Sequence, residues 1–267
     1  MDDARLLLVT DGSSLPLRVA EGAATLPTLY SIDSAQMDGA RKIAVAVGTI
    51  VPLSDDVTGV LLLHPTLVAA AADTRNLPTV VCDRWSGNEI LTSFIEVFGP
   101  SVARSEFIYF RATVPADDKT DMRSELLGAI LALERVGINS LGHIDNVIVD
   151  GRHASVAART VMADSKCVVH MSIVASNAEA PNLRLDFYGA GEIATVVVPD
   201  RGAGSVTGSA YRVSNDGEEA LPSIYSDPIR TALLKLQSLV ERGEVGEDIH
   251  RLTRSLVETR RVLDAGN

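Results

Sequence analysis

Short, uninterrupted apolar runs mark the first hundred residues, and the pattern changes after Pro100. Leu6–Thr10 (LLLVT), Lys42–Val47 (KIAVAV), Gly59–His64 (GVLLLH) and Thr79–Cys82 (TVVC) read as strands, with TLYSI from Thr28 a weaker one. Runs of Val, Leu and Ile without polar alternation predict strands covered on both faces, as in a parallel sheet between helices. Between the last two runs lies PTLVAAAADTRNL, 65–77. Its proline suits a first helical turn and its alanines favour helix, which makes a βαβ unit. NEILTSFIEVFG, 88–99, predicts a second helix, capped by Asn88 and ended by Gly99-Pro100.

Beyond Pro100 the strands alternate instead. EFIYFRATV, 106–114, precedes the polar loop PADDKTD and a helix from Met122 to Val136, whose Met122, Leu126, Leu127, Ile130, Leu133 and Val136 share one face. HIDNVIVD, SVAARTVMAD, CVVHMSIVAS, LRLDFYG and EIATVVVPD follow as strands. In the third, Cys167, Val169, Met171 and Ile173 fall on one side, with Val168, His170 and Ser172 on the other. YGAGE, 188–192, is a tight turn whose glycines tolerate positive φ. RGAGSVTGSAYRVSNDGEEALPS, 201–223, reads as loop with at most one short strand. Two amphipathic helices close the chain, broken at Gly243–Gly246, with Asp227 as cap and Pro228 at the first helical position of the earlier one. The pattern therefore predicts an α/β part over 1–100 and a sheet-plus-helix part over 101–267.

Composition narrows the function. At 46% hydrophobic and 4% aromatic, alanine, valine and leucine must fill an ample core. A net charge of −11, with no basic block, repels phosphate backbones and speaks against nucleic acid. Cys82 and Cys167 are isolated, as two ordinary cytosolic thiols are. The acidic start MDDARLLLVTDG resembles neither a secretory signal nor a membrane span, so a cytoplasmic protein without membrane contact is expected.

Candidate chemistry gathers at strand ends. In VTDGSS the loop offers Gly12, Ser13 and Ser14 to a phosphate, but a dinucleotide loop of the usual kind carries GxGxxG, and Asp11 adds an opposing charge. His64 and the trio Asp83, Arg84, Trp85 follow two apparent neighbouring strands. In open α/β sheets the carboxyl ends face the ligand crevice. There His64 exchanges a proton, Arg84 clamps an anion, and Asp83 and Trp85 line the substrate. The bland alternative is a capping histidine, a surface ion pair and a packed tryptophan. His143, His153 and His170 lack HxH, HExxH or any close ligand spacing, so no metal is expected.

Several stretches together resemble a known family. These are VTGVLLLHPTLVAAAADTRNLPTVVCDR (57–84), FIYFR (107–111), SELLGAILALERVG (124–137), LRLDFYGAGEIATVVV (183–198) and the closing helices SDPIRTALLKLQSLVERGEVGEDIHRLTRSLVETRRVLDA (226–265). The chain resembles the glucose–fructose oxidoreductase/inositol dehydrogenase (Gfo/Idh/MocA) family, most of all in its C-terminal domain. The resemblance implies a truncated Rossmann-like domain followed by an α+β domain with a large, open, mainly antiparallel sheet, and with 226–265 packing back towards the cofactor domain. It also implies a homo-oligomer joined through that sheet.

Three departures accompany the resemblance. Where the family carries Glu-Lys-Pro this chain has Asp83, Arg84 and Trp85, and arginine is a poor proton carrier. The family's central helix presents an aspartate and a histidine; here only Glu134 and Arg135 are ionisable in GAILALERVG. The glycine fingerprint is missing. The reading is a degenerate homologue without a cofactor, acting as a small-molecule-binding or structural partner subunit. Two alternatives stay open: a non-standard NAD- or NADP-dependent oxidoreductase on a small polar metabolite, and a cofactor-independent lyase or isomerase with His64 as base.

Overall fold

The computed structural model describes residues 6–10, 16–27, 29–31, 41–48, 55–67, 77–117, 120–162, 165–200, 207–224 and 227–266. By contacts the chain divides into two units, 1–83 with 227–253, and 84–226 with 254–267.

In the first unit the apolar runs become β1 (Leu6–Val9), β2 (Tyr30–Ser31), β3 (Arg41–Val47), β4 (Val57–Leu63) and β5 (Thr79–Cys82), with helix α1 (Leu17–Ala24) between β1 and β2. They form one parallel sheet in the order β2-β1-β3-β4-β5. Val60, Leu61 and Leu62 of β4 are fully buried, so both faces of the sheet are covered, as the lack of alternation requires. Leu6, Leu8, Ile43, Val45, Leu61, Leu63 and Val80 form one core layer with α1 and with Ile229, Leu233 and Leu236. The helix expected within 65–77 falls largely outside the described residues.

The second unit holds α2 (Glu89–Ala103), β6 (Phe107–Val114), α3 (Met122–Arg135), β7 (His143–Val149), β8 (His153–Met162), β9 (Ser165–Ala175), β10 (Asn182–Gly189), β11 (Glu192–Pro199), β12 (Ser209–Ser214) and β13 (Gly217–Ala220). Eight strands make one sheet in the order β13-β12-β11-β10-β6-β9-β8-β7, antiparallel throughout except for β6 beside β9. α2 packs on β10 to β12 and α3 on β8 and β9. This is the architecture expected: a parallel Rossmann-like sheet, then a larger, mainly antiparallel one. In β9 the inward Cys167, Val169, Met171 and Ile173 are buried while Val168 and Val174 stay exposed, as the alternation predicts.

Helices α4 (Pro228–Arg242) and α5 (Asp248–Ala265) complete the chain. α4 packs on α1, β4 and β5 of the first unit. Asp227 accepts the amides of Ile229 and Arg230 at 3.1 Å, and Gly243 closes α4 in the left-handed region.

Two local expectations are corrected. α2 does not stop at Gly99-Pro100 but runs on to Ala103. Proline removes the bond to the Glu96 carbonyl; both residues are exposed, so water can satisfy that group, while Ser101 and Val102 beyond it are buried in the core. The segment 201–223 carries two strands, β12 and β13, rather than one at most. β12 is recruited by its ladder to β11, and β13 is exposed at all four residues, so no burial pattern announces it.

Candidate functional site

The strand order of the first sheet reverses between β1 and β3. In doubly wound sheets that switch point opens a crevice at the carboxyl ends of the strands. The ends meeting there are Val9-Thr10, Val47-Gly48, Leu63-His64 and Cys82-Asp83. Gly12, Ser13 and Ser14, which follow β1, lie outside the described residues.

Backbone hydrogen bonds lace the other three ends together. Gly48 donates its amide to the Leu63 carbonyl at 2.8 Å, and His64 donates to the Cys82 carbonyl at 3.1 Å. Thr66 then donates to the Gly48 carbonyl twice, from its amide at 2.8 Å and from Oγ1 at 3.2 Å. Gly48 has φ of 75°, which a side chain would resist. Sequence reasoning passed over Gly48 and Thr66; the signal was a glycine ending the apolar run KIAVAV.

His64 has φ of 44° and is the one non-glycine residue with positive φ among the described residues. Its side chain is exposed. An outlier held by neighbouring strands, at the carboxyl edge of a sheet, is the kind of strain that active sites store. Asp83, at the end of β5, is buried. Burial pushes the neighbouring Cys82 thiol up, and Asp83, Asp227 and Asp248 add to the effect, which disfavours the thiolate form.

By contacts Arg84 and Trp85 belong to the second unit. Arg84 donates Nη1 to Asp200 at 2.6 Å and Nη2 to Glu125, in the first turn of α3, at 3.1 Å. Its guanidinium lies 5.7 Å from the centre of the Trp85 ring. Two carboxylates thus balance the charge that the sequence offered to an anion. Trp85 is 1% exposed and belongs to the core of this unit, beside Gly128 of α3. Its ring is packing, not an open stacking platform. Among the described residues no group of three or more His, Cys, Asp or Glu is placed to hold a metal, and no helix is long and apolar enough to cross a membrane.

No family model and no curated protein matches the chain. Solved structures do. UDP-N-acetylglucosamine 3-dehydrogenase from Acidithiobacillus ferrooxidans is similar at a TM-score of 0.65 and 12% identity, over 98% of this chain and 97% of that one. An oxidoreductase from Sinorhizobium meliloti reaches 0.64 at 10% identity, over 99% and 98%. A 3-ketoreductase from Actinomadura kijaniata, in complex with TDP-benzene and NADP and in an open conformation, reaches 0.60 at 11%, over 98% and 96%. At such identities the likeness is one of fold: over nearly its whole length, this chain folds as those oxidoreductases do.

Proposed function

We propose that the chain is a non-standard NAD- or NADP-dependent oxidoreductase that acts on a small polar metabolite. The observation that carries this is the β1/β3 switch point, set in a fold shared end to end with dehydrogenases and reductases, one of them in complex with NADP. The residues present fit a nucleotide at that place. Gly48 has no side chain, and Thr66 brings a hydroxyl to the same edge. Gly12, Ser13 and Ser14 would hold the pyrophosphate through backbone amides and hydroxyls in place of the glycine fingerprint. A nicotinamide bound there supplies or accepts hydride. His64 then holds the proton that the substrate oxygen gains or loses, the acid–base role that an imidazole at this edge can take. Arg84, held by Glu125 and Asp200 within the second unit, is not the proton carrier in this reading.

Titration of the full chain into NADPH and NADH, followed by nicotinamide fluorescence and native mass spectrometry, tests this. Saturable binding of either supports it. No binding of either at millimolar concentration, with the protein folded, overturns it in favour of a cofactor-free partner subunit.

Self-association belongs to the same reading. On the outer face of the second sheet Val213, Ile193, Tyr188, Phe107 and Val168 lie side by side on five consecutive strands, each between 36 and 42% exposed. A continuous apolar row of this kind favours a covering partner, and a second copy of the chain supplies one. Sedimentation velocity should show a dimer or larger species, and a monomer at all concentrations would remove this part.

A further inference from the structure

At the other end of the same strands the outer face changes character. Arg184 of β10 stands directly opposite Arg111 of β6, with side chains 46 and 51% exposed. Like charges in that position repel and destabilise the strand pair. A protein of net charge −11 nevertheless places two guanidinium groups together there.

The surroundings hold the pair in place without using it up. Asp186, itself 3% exposed, accepts the Nε–H of Arg184 at 3.0 and 2.8 Å on its two oxygens, and Thr195 Oγ1 donates to Asp186 at 2.7 Å. This fixes Arg184 through its inner nitrogen and, among the described residues, leaves both terminal Nη groups without a partner. Arg111 reaches Glu179 at 3.3 Å, a long and exposed pair of the kind that adds little. Ser172 lies opposite Arg111 on β9, and Ser155 opposite Ser172 on β8, which extends the row of hydrogen-bond donors. The two arginines open on a recess of about 310 Å³, with Pro181, Val197 and Pro199 as apolar wall and Asn182 at its edge.

We infer that this recess binds a small organic anion, with a phosphate or carboxylate head between Arg111 and Arg184 and a compact apolar body against the prolines. The planar, many-donor fork of arginine matches such oxyanions, and a bound anion offsets the repulsion between the two guanidinium groups. The site is built wholly from the second unit and does not depend on the nicotinamide reading.

The test is calorimetric titration of the full chain with inorganic phosphate and, separately, with succinate, at ionic strength balanced by chloride. One head group or both should bind saturably, which also separates the two chemistries. Arg111→Gln and Arg184→Gln should each weaken that binding about tenfold or more, and Arg184→Lys should recover only part of it. If Arg184→Gln proves unstable, Arg111→Gln, a change at a half-exposed side chain, carries the test alone. The inference fails if neither probe saturates, or if binding is unchanged in the variants, as phosphate held at the first sheet would leave it. It also fails if the variants shift the sedimentation of the protein but not its anion affinity, because the pair then serves contact between chains.

Discussion

The carboxylate of Asp248, in the first turn of α5, accepts the backbone amide of Val81 on β5 at 3.2 Å, across 167 residues of sequence. Among the described residues β5 is the edge of the parallel sheet, so its outer amides meet no strand there. Val245 accepts the amide of Thr79 at 3.0 Å, and Asp248 also holds Lys235 of α4 at 2.6 Å. Replacing Asp248 with alanine strands a half-buried amide and a lysine together. A loss of about 2 to 3 kcal/mol is expected, read from the urea midpoint at pH 7.

Gly142, between α3 and β7, has φ of 61°, and a Cβ there would stand 2.3 Å from the Arg159 carbonyl oxygen. Gly142→Ala therefore forces β8 to move and should cost about 3 kcal/mol or more. Gly217, the first residue of β13, also has positive φ, but among the described residues open space surrounds it. Gly217→Ala should cost only the conformational term, about 1 kcal/mol. Thermal denaturation of the two variants separates crowding from backbone strain.

Glu258 of α5 is a carboxylate whose burial would raise its pKa. That effect is outweighed by Arg261, through Nε at 2.9 Å and Nη2 at 2.7 Å, by the Leu141 amide at 2.6 Å and by Ser140 Oγ at 3.3 Å, and the net shift is downward. A depressed carboxylate adds stability that is present above the ordinary glutamate range and is lost as pH falls through the lowered value. Glu258→Gln should cost about 1 to 3 kcal/mol at pH 7. The gap between the two proteins should close as denaturation curves are taken below pH 4.

Burial pushes the Cys167 thiol up to about 11, and Cys82 shifts in the same direction. The folded state thus disfavours thiolate. Stability from these groups is intact below the ordinary thiol range, near pH 8.5, and drains away as pH rises towards 11. The urea midpoint should fall over that window, and less steeply in a variant with alanine at both positions. Neither thiol should react with a disulfide reagent at pH 8 until the chain unfolds.

The positive φ of His64 reverses a familiar ranking. At most positions alanine is the more stabilising replacement and glycine the less, but here glycine relieves the left-handed strain that alanine keeps. His64→Gly should melt above His64→Ala by an amount equivalent to about 1 kcal/mol. Both should lose turnover if His64 moves the proton, whatever their stability, and retained turnover in either would exclude it.

How much of this was legible in the chain itself depends on distance along it. Patterns within ten or fifteen residues determined the parallel strands KIAVAV and GVLLLH, the buried face of α3, the alternation of β9 and the caps at Asn88 and Asp227. Each of these follows from which side chains share a face or which oxygen reaches a nearby amide, and spacing encodes both.

Tertiary structure alone decided the rest. Pro100 stays inside α2 because the next residues are buried, and β13 exists because β12 gives it a ladder. Arg84 looks like an anion clamp until Glu125 and Asp200, 41 and 116 residues away, take its guanidinium. Arg111 and Arg184 become neighbours only through strand register. A local pattern records that a face is buried or a charge is present; what lies against it is set by pairings between segments that the pattern never links.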